Sequence, residues 1–239
     1  MDKTEKTGSA EWQAFLQQGA RSMGVALTDE QTGMFATHAT ELLRWNRKIN
    51  LTAITDPVEV AVKHFLDAIA PADMMPENGT LLDVGTGGGF PGIPLKILRP
   101  GLTVTLVDAA AKKINFLQQV IRLLGLTGTT ARHCRLTPSE RPSVFVQAFD
   151  MVICRAFAAI DKFVSIAAPL VPYGGRLVTM KGNRYEEELT SLNQLQISAP
   201  TGKTMPATDL FSVDIRHYNL YHSQDRRSLV VLTKRHQPE

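Results

Sequence analysis

The residues best placed to do chemistry form one run, Leu81-Leu82-Asp83-Val84-Gly85-Thr86-Gly87-Gly88-Gly89-Phe90, with Asp108 further along the chain. An apolar stretch that gives way to glycines reads as a strand feeding a tight loop. Glycine turns the backbone where other residues cannot and admits a ligand where a Cβ would clash. A carboxylate closing the next strand is well placed to accept hydrogen bonds from ribose hydroxyls. The run therefore predicts a nucleoside-bearing ligand at the carboxyl edge of a sheet. A dinucleotide fingerprint would put its third glycine at position 90, where this chain has Phe90. A phosphate-binding loop would need Gly-Lys-Ser/Thr, which is absent. Glycines serving only a tight turn, and a nicotinamide enzyme, remain open at this point.

Other reactive side chains are few. The two cysteines, Cys134 and Cys154, show no metal-ligand spacing and no accompanying histidine pair, so no metal site is expected. Buried thiols are the expectation, although a disulfide is formally available. His64 and Asp67, three apart on one helical face, are expected to hydrogen-bond each other. Arg44, Arg47 and Lys48 surround Trp45 and Asn50, a basic and aromatic interleaving that suits a phosphate backbone, while Trp45 alone also fits burial. Lys112 and Lys113 open a helix beside the glycine loop, and Arg226-Arg227 could extend a basic rim. The run Glu186-Glu187-Glu188 reads as a solvated face. The net charge of +3 is only mildly basic, so the position of the charges matters more than their sum.

These residues need a frame, and the chain supplies one. Residues 1–9 read as a frayed tail. Helical periodicity follows over Ala10 to Met23 and, behind a Thr28/Gln31 capping-box spacing, as far as Trp45. Asn46 to Thr55 breaks the pattern, and Asp56-Pro57 restarts it with Val60, Val62, Phe65, Leu66 and Ile69 on one face. From there strands and helices alternate. Strands are expected at Thr80–Val84, Val104–Asp108, Thr129–Cys134, Asp150–Cys154, Arg176–Met180, Phe211–Tyr218 and Ser228–Lys234. Helices are expected at Pro91–Leu98, Ala110–Leu124, Lys162–Leu170 and Glu186–Leu195. Such alternation predicts a parallel sheet covered on both faces. A helical extension over residues 10–75 and a core over 76–239 would form one structural unit. No secretory signal and no apolar run of membrane-spanning length is present, which places the chain in the cytoplasm by expectation.

Glycines at 85, 87 and 89 behind Asp83 resemble the first motif of class I S-adenosylmethionine-dependent methyltransferases. Longer phrases resemble the bacterial glucose-inhibited division protein B family. They are Trp45-Asn46 with Asn50-Leu51-Thr52, His64-Phe65-Leu66-Asp67, the loop with its Phe90-Pro91-Gly92-Ile93-Pro94 tail, Asp108 with Lys112 and Phe116-Leu117, Arg155-Ala156-Phe157-Ala158, and Lys181-Gly182. The resemblance implies a Rossmann-like α/β fold with a seven-stranded, mostly parallel sheet. It also implies methylation of guanine N7 in small-subunit (16S) ribosomal RNA by a monomeric enzyme, with S-adenosylmethionine as cofactor. Asp83, Gly85, Gly87, Gly89, Phe90, Asp108, Leu136, Thr137 and Arg155 would then bind the cofactor. Arg155 and Lys181 would serve the chemistry, and Arg44, Arg47, Lys48, Asn50, Lys112, Phe157 and Lys181 would face the RNA. For Phe157 and Lys181, core packing and a solvated lysine are the plain alternatives. Guanine N7 offers its own lone pair, so no general base is required. In keeping with that, the Asn/Asp-Pro-Pro-aromatic motif of exocyclic-amine methyltransferases is absent, and neither cysteine adjoins the proline of a pyrimidine-C5 nucleophile. One departure stands out, because Thr137 occupies a position where the family usually has a carboxylate. A small-molecule methyltransferase, and an RNA-binding module that holds cofactor without turnover, are the alternatives.

Overall fold

The predicted alternation closes into one seven-stranded sheet. Its strands are β1 (Asn78–Val84), β2 (Gly101–Asp108), β3 (Thr129–His133), β4 (Met151–Arg155), β5 (Arg176–Lys181), β8 (Phe211–Asn219) and β9 (Arg226–Lys234). The computed structural model describes residues 7–138, 145, 148–182, 185–198 and 204–235. The strand order is β3-β2-β1-β4-β5-β9-β8. The first five strands run parallel, and β9 is antiparallel to both β5 and β8. A second, two-stranded sheet pairs β6 (Gln196–Ser198) with β7 (Thr204–Pro206), and no sequence signal announced it.

The central strands bury both faces, as the apolar runs require. Leu81, Met151, Ile153, Val178 and Met180 point into one core, while Leu82, Val84, Val152, Cys154 and Leu177 point into the other. The first core is covered by α4 (Gly92–Leu98), α5 (Ala111–Leu123) and the N-terminal helices, and the second by α6 (Ile160–Ala167) and α7 (Tyr185–Gln194). Because Trp12, Phe35 and Phe65 belong to the first core, the N-terminal helices are part of the sheet's own packing. Among the described residues, no helix is long and apolar enough to cross a membrane.

The N-terminal helices are α1 (Ala10–Ser22), α2 (Asp29–Ile49) and α3, residues 57–69. Residues 1–6 of the expected tail lie outside the described residues. Thr7 is already buried and Ser9 caps α1, so order begins before the expected boundary. The Thr28 hydroxyl accepts from the Gln31 N–H, and the Gln31 side chain accepts from the Thr28 N–H. Thr28→Ala removes one of these bonds and should cost about 1 kcal/mol, read as a lower urea midpoint with unchanged slope.

Two N-terminal expectations need correction. α2 continues through Arg47 and Lys48 to Ile49, because Leu42, Leu43 and the half-buried Trp45 still pack on the core. α3 is not a regular helix. Asp56 caps Pro57–Glu59, but Val60–Leu66 is π-helical before the α-turn Asp67–Ile69. Each π-turn takes one residue more than an α-turn, which redirects every side chain after it, and such segments gather at functional sites.

Candidate active site

Asp83 is the penultimate residue of β1 and is fully buried. Its Oδ2 accepts from the Thr86 hydroxyl at 2.7 Å and from the Gly92 N–H at 2.8 Å. Gly92 must be glycine, since a Cβ there would lie 2.4 Å from Leu106 Cδ2 and 2.8 Å from Asp83 Oδ2. That requirement explains part of the Phe-Pro-Gly-Ile-Pro tail. Burial raises the Asp83 carboxyl to about 6, against the lowering effects of its two hydrogen bonds. Its other oxygen, Oδ1, is buried and has no hydrogen-bond partner.

The loop then crosses to β2. Asp108 Oδ2 accepts from the Gly87 N–H at 3.1 Å, and Oδ1 accepts from the Ala110 N–H at 2.9 Å. Beside this junction lies a cleft of about 360 Å³, lined by Gly85, Asp108, Cys134, Leu136, Thr137 and Phe157 among others. Its size suits a nucleoside. Asp108 keeps acceptor capacity, because a carboxylate offers about four lone-pair sites. The residues present thus fit a nucleoside-bearing cofactor. Among the described residues, the Leu136–Thr137 end of the cleft carries no carboxylate side chain, and Thr137 and backbone groups stand there. Phe157 lies over Gly85, where a Cβ would come within 2.6 Å of its ring. This places Phe157 on the wall of that cleft.

Two of the expected cofactor contacts, Phe90 and Gly89, have packing roles in the structure. The Phe90 ring is only 3% exposed and turns away from the cleft. It is stacked between His38 and His64, each at 4.8 Å and 14°. Gly89 is buried against α4 and α5, since a Cβ there would meet Ile93 and Leu117. Both residues shape the underside of the loop. His38 ties the loop to α2. Its Nε2 lies 2.8 Å from the Gly88 carbonyl. A carbonyl only accepts, so Nε2 carries the hydrogen and Nδ1 is a buried, unpartnered lone pair. Burial holds this ring at about 4.

Arg155 ends β4 and is gripped by α3. Its Nη1 donates to the Lys63 carbonyl at 2.8 Å and to Asp67 Oδ2 at 3.1 Å, and Nη2 donates to His64 Nδ1 at 3.3 Å. The guanidinium also sits 5.1 Å from the Phe90 ring centre. Since an arginine only donates, His64 Nδ1 is unprotonated, and its Nε2–H donates to Thr52 Oγ1 at 2.8 Å. Burial first, then Arg155 and His38, push the His64 ring down to about 3. Asp67 Oδ1 accepts from the Tyr218 hydroxyl at 2.7 Å, and burial raises that phenol. The expected His64–Asp67 hydrogen bond is thus replaced by a shared grip on Arg155. The loop that carries Thr52 is itself folded by Asn46, whose Oδ1 accepts from the Leu51 and Thr52 N–H groups.

Lys181 ends β5 and donates from Nζ to the Ala158 carbonyl and to Glu188 Oε2, both at 2.7 Å. The same Glu188 oxygen accepts from the Ile160 N–H at 2.9 Å. Glu188 therefore leaves the solvated face assigned to it and pins the C-terminal end of the Phe157 loop, directly at Ile160 and through Lys181 at Ala158. Within that loop, Ala156 takes a left-handed φ of 52°. A second cavity of about 360 Å³ opens here, lined by Lys63, His64, Asp67, Arg155, Lys181, Tyr218 and Arg227 among others.

Lys113 pairs with Asp108 at 3.7 Å beside the first cleft, whereas Arg44, Arg47, Lys48, Asn50 and Lys112 line neither cavity. Arg44, Arg47 and Lys48 are exposed on the last turns of α2, with Arg44 paired to Glu41. Asn50 ends that helix in a left-handed turn at φ 50°, which accounts for it structurally. Lys112 is exposed on the first turn of α5, whose Phe116 packs edge-on to Trp45 at 5.8 Å. Both cysteines are free, but only Cys154 is buried, its thiol pushed up to about 12 by burial. Cys134 is half-buried on the wall of the first cleft, contrary to expectation.

Comparison with known proteins settles the lineage. A family model described as rRNA small subunit methyltransferase G matches residues 31–208. A ribosomal RNA small subunit methyltransferase G of Geobacter metallireducens is 42% identical over 225 residues, covering 93% of this chain and 96% of its own. One from Desulfitobacterium hafniense is 35% identical over 212 residues, covering 89% and 84%. Among solved structures, a predicted O-methyltransferase of Agrobacterium tumefaciens aligns with a TM-score of 0.55 at 16% identity, covering 70% of this chain and 80% of its own. Ribosomal protein L11 methylase of Lactobacillus delbrueckii subsp. bulgaricus aligns at 0.53 and 16% identity, covering 73% and 79%. At such identities these two structures support the fold alone, a seven-stranded methyltransferase sheet. By the family model and by relatives matched over nearly their whole length, the chain belongs to the rRNA small subunit methyltransferase G family.

Proposed function

We propose that this protein methylates N7 of a guanine in small-subunit ribosomal RNA with S-adenosylmethionine, acting as a monomer in the cytoplasm. The observation that carries the N7 reading is that the second cavity holds no free general base. Among the described residues lining it, Asp67 is engaged by Arg155 and Tyr218, and His64 by Arg155 and Thr52. An exocyclic amine would need a proton acceptor as its nitrogen is alkylated, whereas N7 carries an exposed lone pair and needs none. The protein's task is then to hold the base in line and exclude water, which can supply several kcal/mol of the barrier, roughly 7–11 in well-oriented cases.

S-adenosylmethionine, when bound, supplies an electrophilic methyl group on a sulfonium. Gly85, Asp108, Leu136 and Thr137 would hold its nucleoside, with Asp108 accepting from ribose hydroxyls. Asp83 would act from below by fixing the loop, its unpartnered Oδ1 keeping negative potential beneath the site. Among the described residues, three of the five Arg155 N–H donors are used, which leaves hydrogen-bonding capacity for a guanine edge or a carboxylate. Lys181 contributes first by anchoring the Phe157 loop, which uses two of its three ammonium hydrogens among the described residues and leaves one for a ligand. Lys48, Lys112 and their basic neighbours would contact phosphates outside the cavities.

Methyl transfer from labelled cofactor to small-subunit RNA lacking the modification, followed by nucleoside analysis, tests the proposal. All label is expected in N7-methylguanosine. Label in another nucleoside sinks the N7 assignment, and cofactor binding without any transfer favours an inactive RNA-binding module.

A further inference from the structure

We infer that His64, Asp67 and Tyr218 are positioning residues for Arg155, forming a clamp that the π-helical turn of α3 builds around one guanidinium. The inference rests on the proposed role of Arg155 in methyl transfer. A sheet edge alone does not orient a long, flexible side chain. Here the direction is over-determined, because the Lys63 carbonyl, His64 Nδ1 and Asp67 Oδ2 all meet the guanidinium. On a regular α-helix positions 63, 64 and 67 would project differently. The extra residue in Val60–Leu66 also lets the Lys63 carbonyl accept from Arg155.

Each clamp residue is itself held from a different element. Thr52, from the loop folded by Asn46, fixes the His64 ring and its tautomer. Tyr218, from β8, fixes the Asp67 carboxylate through the oxygen that Arg155 does not use. Phe90 floors the guanidinium from the glycine loop. The N-terminal helices, the outer strand β8 and the cofactor loop therefore converge on one side chain at the mouth of the second cavity. Side-chain burial of 7% exposure for Asp67 and 17% for Arg155 makes the pair sensitive to the loss of any partner.

The test compares His64→Asn, His64→Gln, Tyr218→Phe and Arg155→Lys in the full chain. Single-turnover methyl transfer to small-subunit RNA is measured alongside cofactor Kd and melting temperature. Asn places its Oδ1 near the position of Nδ1 and can still accept from Arg155, whereas Gln reaches only toward Thr52. His64→Gln is expected to slow transfer by about tenfold or more with little change in cofactor Kd, and His64→Asn to recover most of the rate. Tyr218→Phe, which keeps the ring, should slow transfer without lowering cofactor affinity, and it carries the test if His64→Gln does not fold. Equal rates for His64→Asn and His64→Gln, or a wild-type rate for Tyr218→Phe, overturn the clamp. A wild-type rate for Arg155→Lys instead overturns the role of Arg155. Nitrogen-15 NMR supplies a readout independent of transfer. The His64 ring should show a bare Nδ1 and a protonated Nε2, and its Nδ1 resonance should move in Arg155→Ala. A protonated Nδ1, or one that does not respond, also overturns the inference.

Discussion

Arg155→Lys is expected to slow methyl transfer by about 100-fold, equivalent to about 2.7 kcal/mol of lost transition-state stabilisation. Lysine is the informative substitution because it keeps a cation beside Asp67. Among the described residues, alanine would leave that buried carboxylate held by the Tyr218 hydroxyl and would confound catalysis with stability. An ammonium cannot reproduce a planar fork that meets the Lys63 carbonyl, Asp67 Oδ2 and His64 Nδ1 together while offering its free edge to the cavity. The effect should fall on the single-turnover rate at saturating cofactor and RNA, with the melting temperature changed only modestly. A rate within about threefold of wild type would remove Arg155 from the chemistry.

Much of this was legible in the sequence because it depends on local pattern. Short apolar runs alternating with helical patterns located all seven strands of the main sheet, and the β1 loop with Asp108 led to the cleft beside Gly85. The unread parts depend on long-range contacts. The family resemblance implied that Phe90 contacts the cofactor. Its ring direction is set by His38 and His64 on two other helices, which no local pattern encodes. Spacing placed His64 and Asp67 on one α-helical face, yet a π-turn leaves no compositional mark and sends both to Arg155. Glu188 sat in an acidic run that reads as solvated, and only the folded chain brings it to Lys181 and the Ile160 N–H. The signal that could have exposed α3 was the phrase His64-Phe65-Leu66-Asp67 itself. It places two polar, ionisable residues around an apolar pair, and both prove buried.

Because the stack beneath the loop consists of neutral imidazoles, the cofactor-free protein should lose stability steeply in mild acid. His38 and His64 are held at about 4 and about 3, chiefly by burial, against 6.5 for an unperturbed ring. A depressed folded-state value means that the unfolded chain binds the extra protons. Stability present above pH 6.5 is therefore lost as pH falls toward those values. Asp83 opposes them. Its carboxyl is raised from 3.8 to about 6, so its contribution is full below 3.8 and lost as pH rises through about 6. At about 1.36 kcal/mol per proton per pH unit, two histidines cost about 4 kcal/mol between pH 6.5 and 5. Asp83 returns about 1.4 kcal/mol of that between pH 6 and 5, leaving a net loss of roughly 2–3 kcal/mol. For a chain of this size that is a fall in melting temperature of about 4–12 °C between pH 7 and 5. His38→Gln can still donate to the Gly88 carbonyl but does not titrate, so it should remove close to half of the histidine share. Equal melting temperatures at pH 7 and 5 would contradict the assignment of both rings as neutral. His64 belongs to the stack and to the Arg155 clamp at once, so its protonation would break both. Methyl transfer should therefore fail no later than the fold as the solution is acidified.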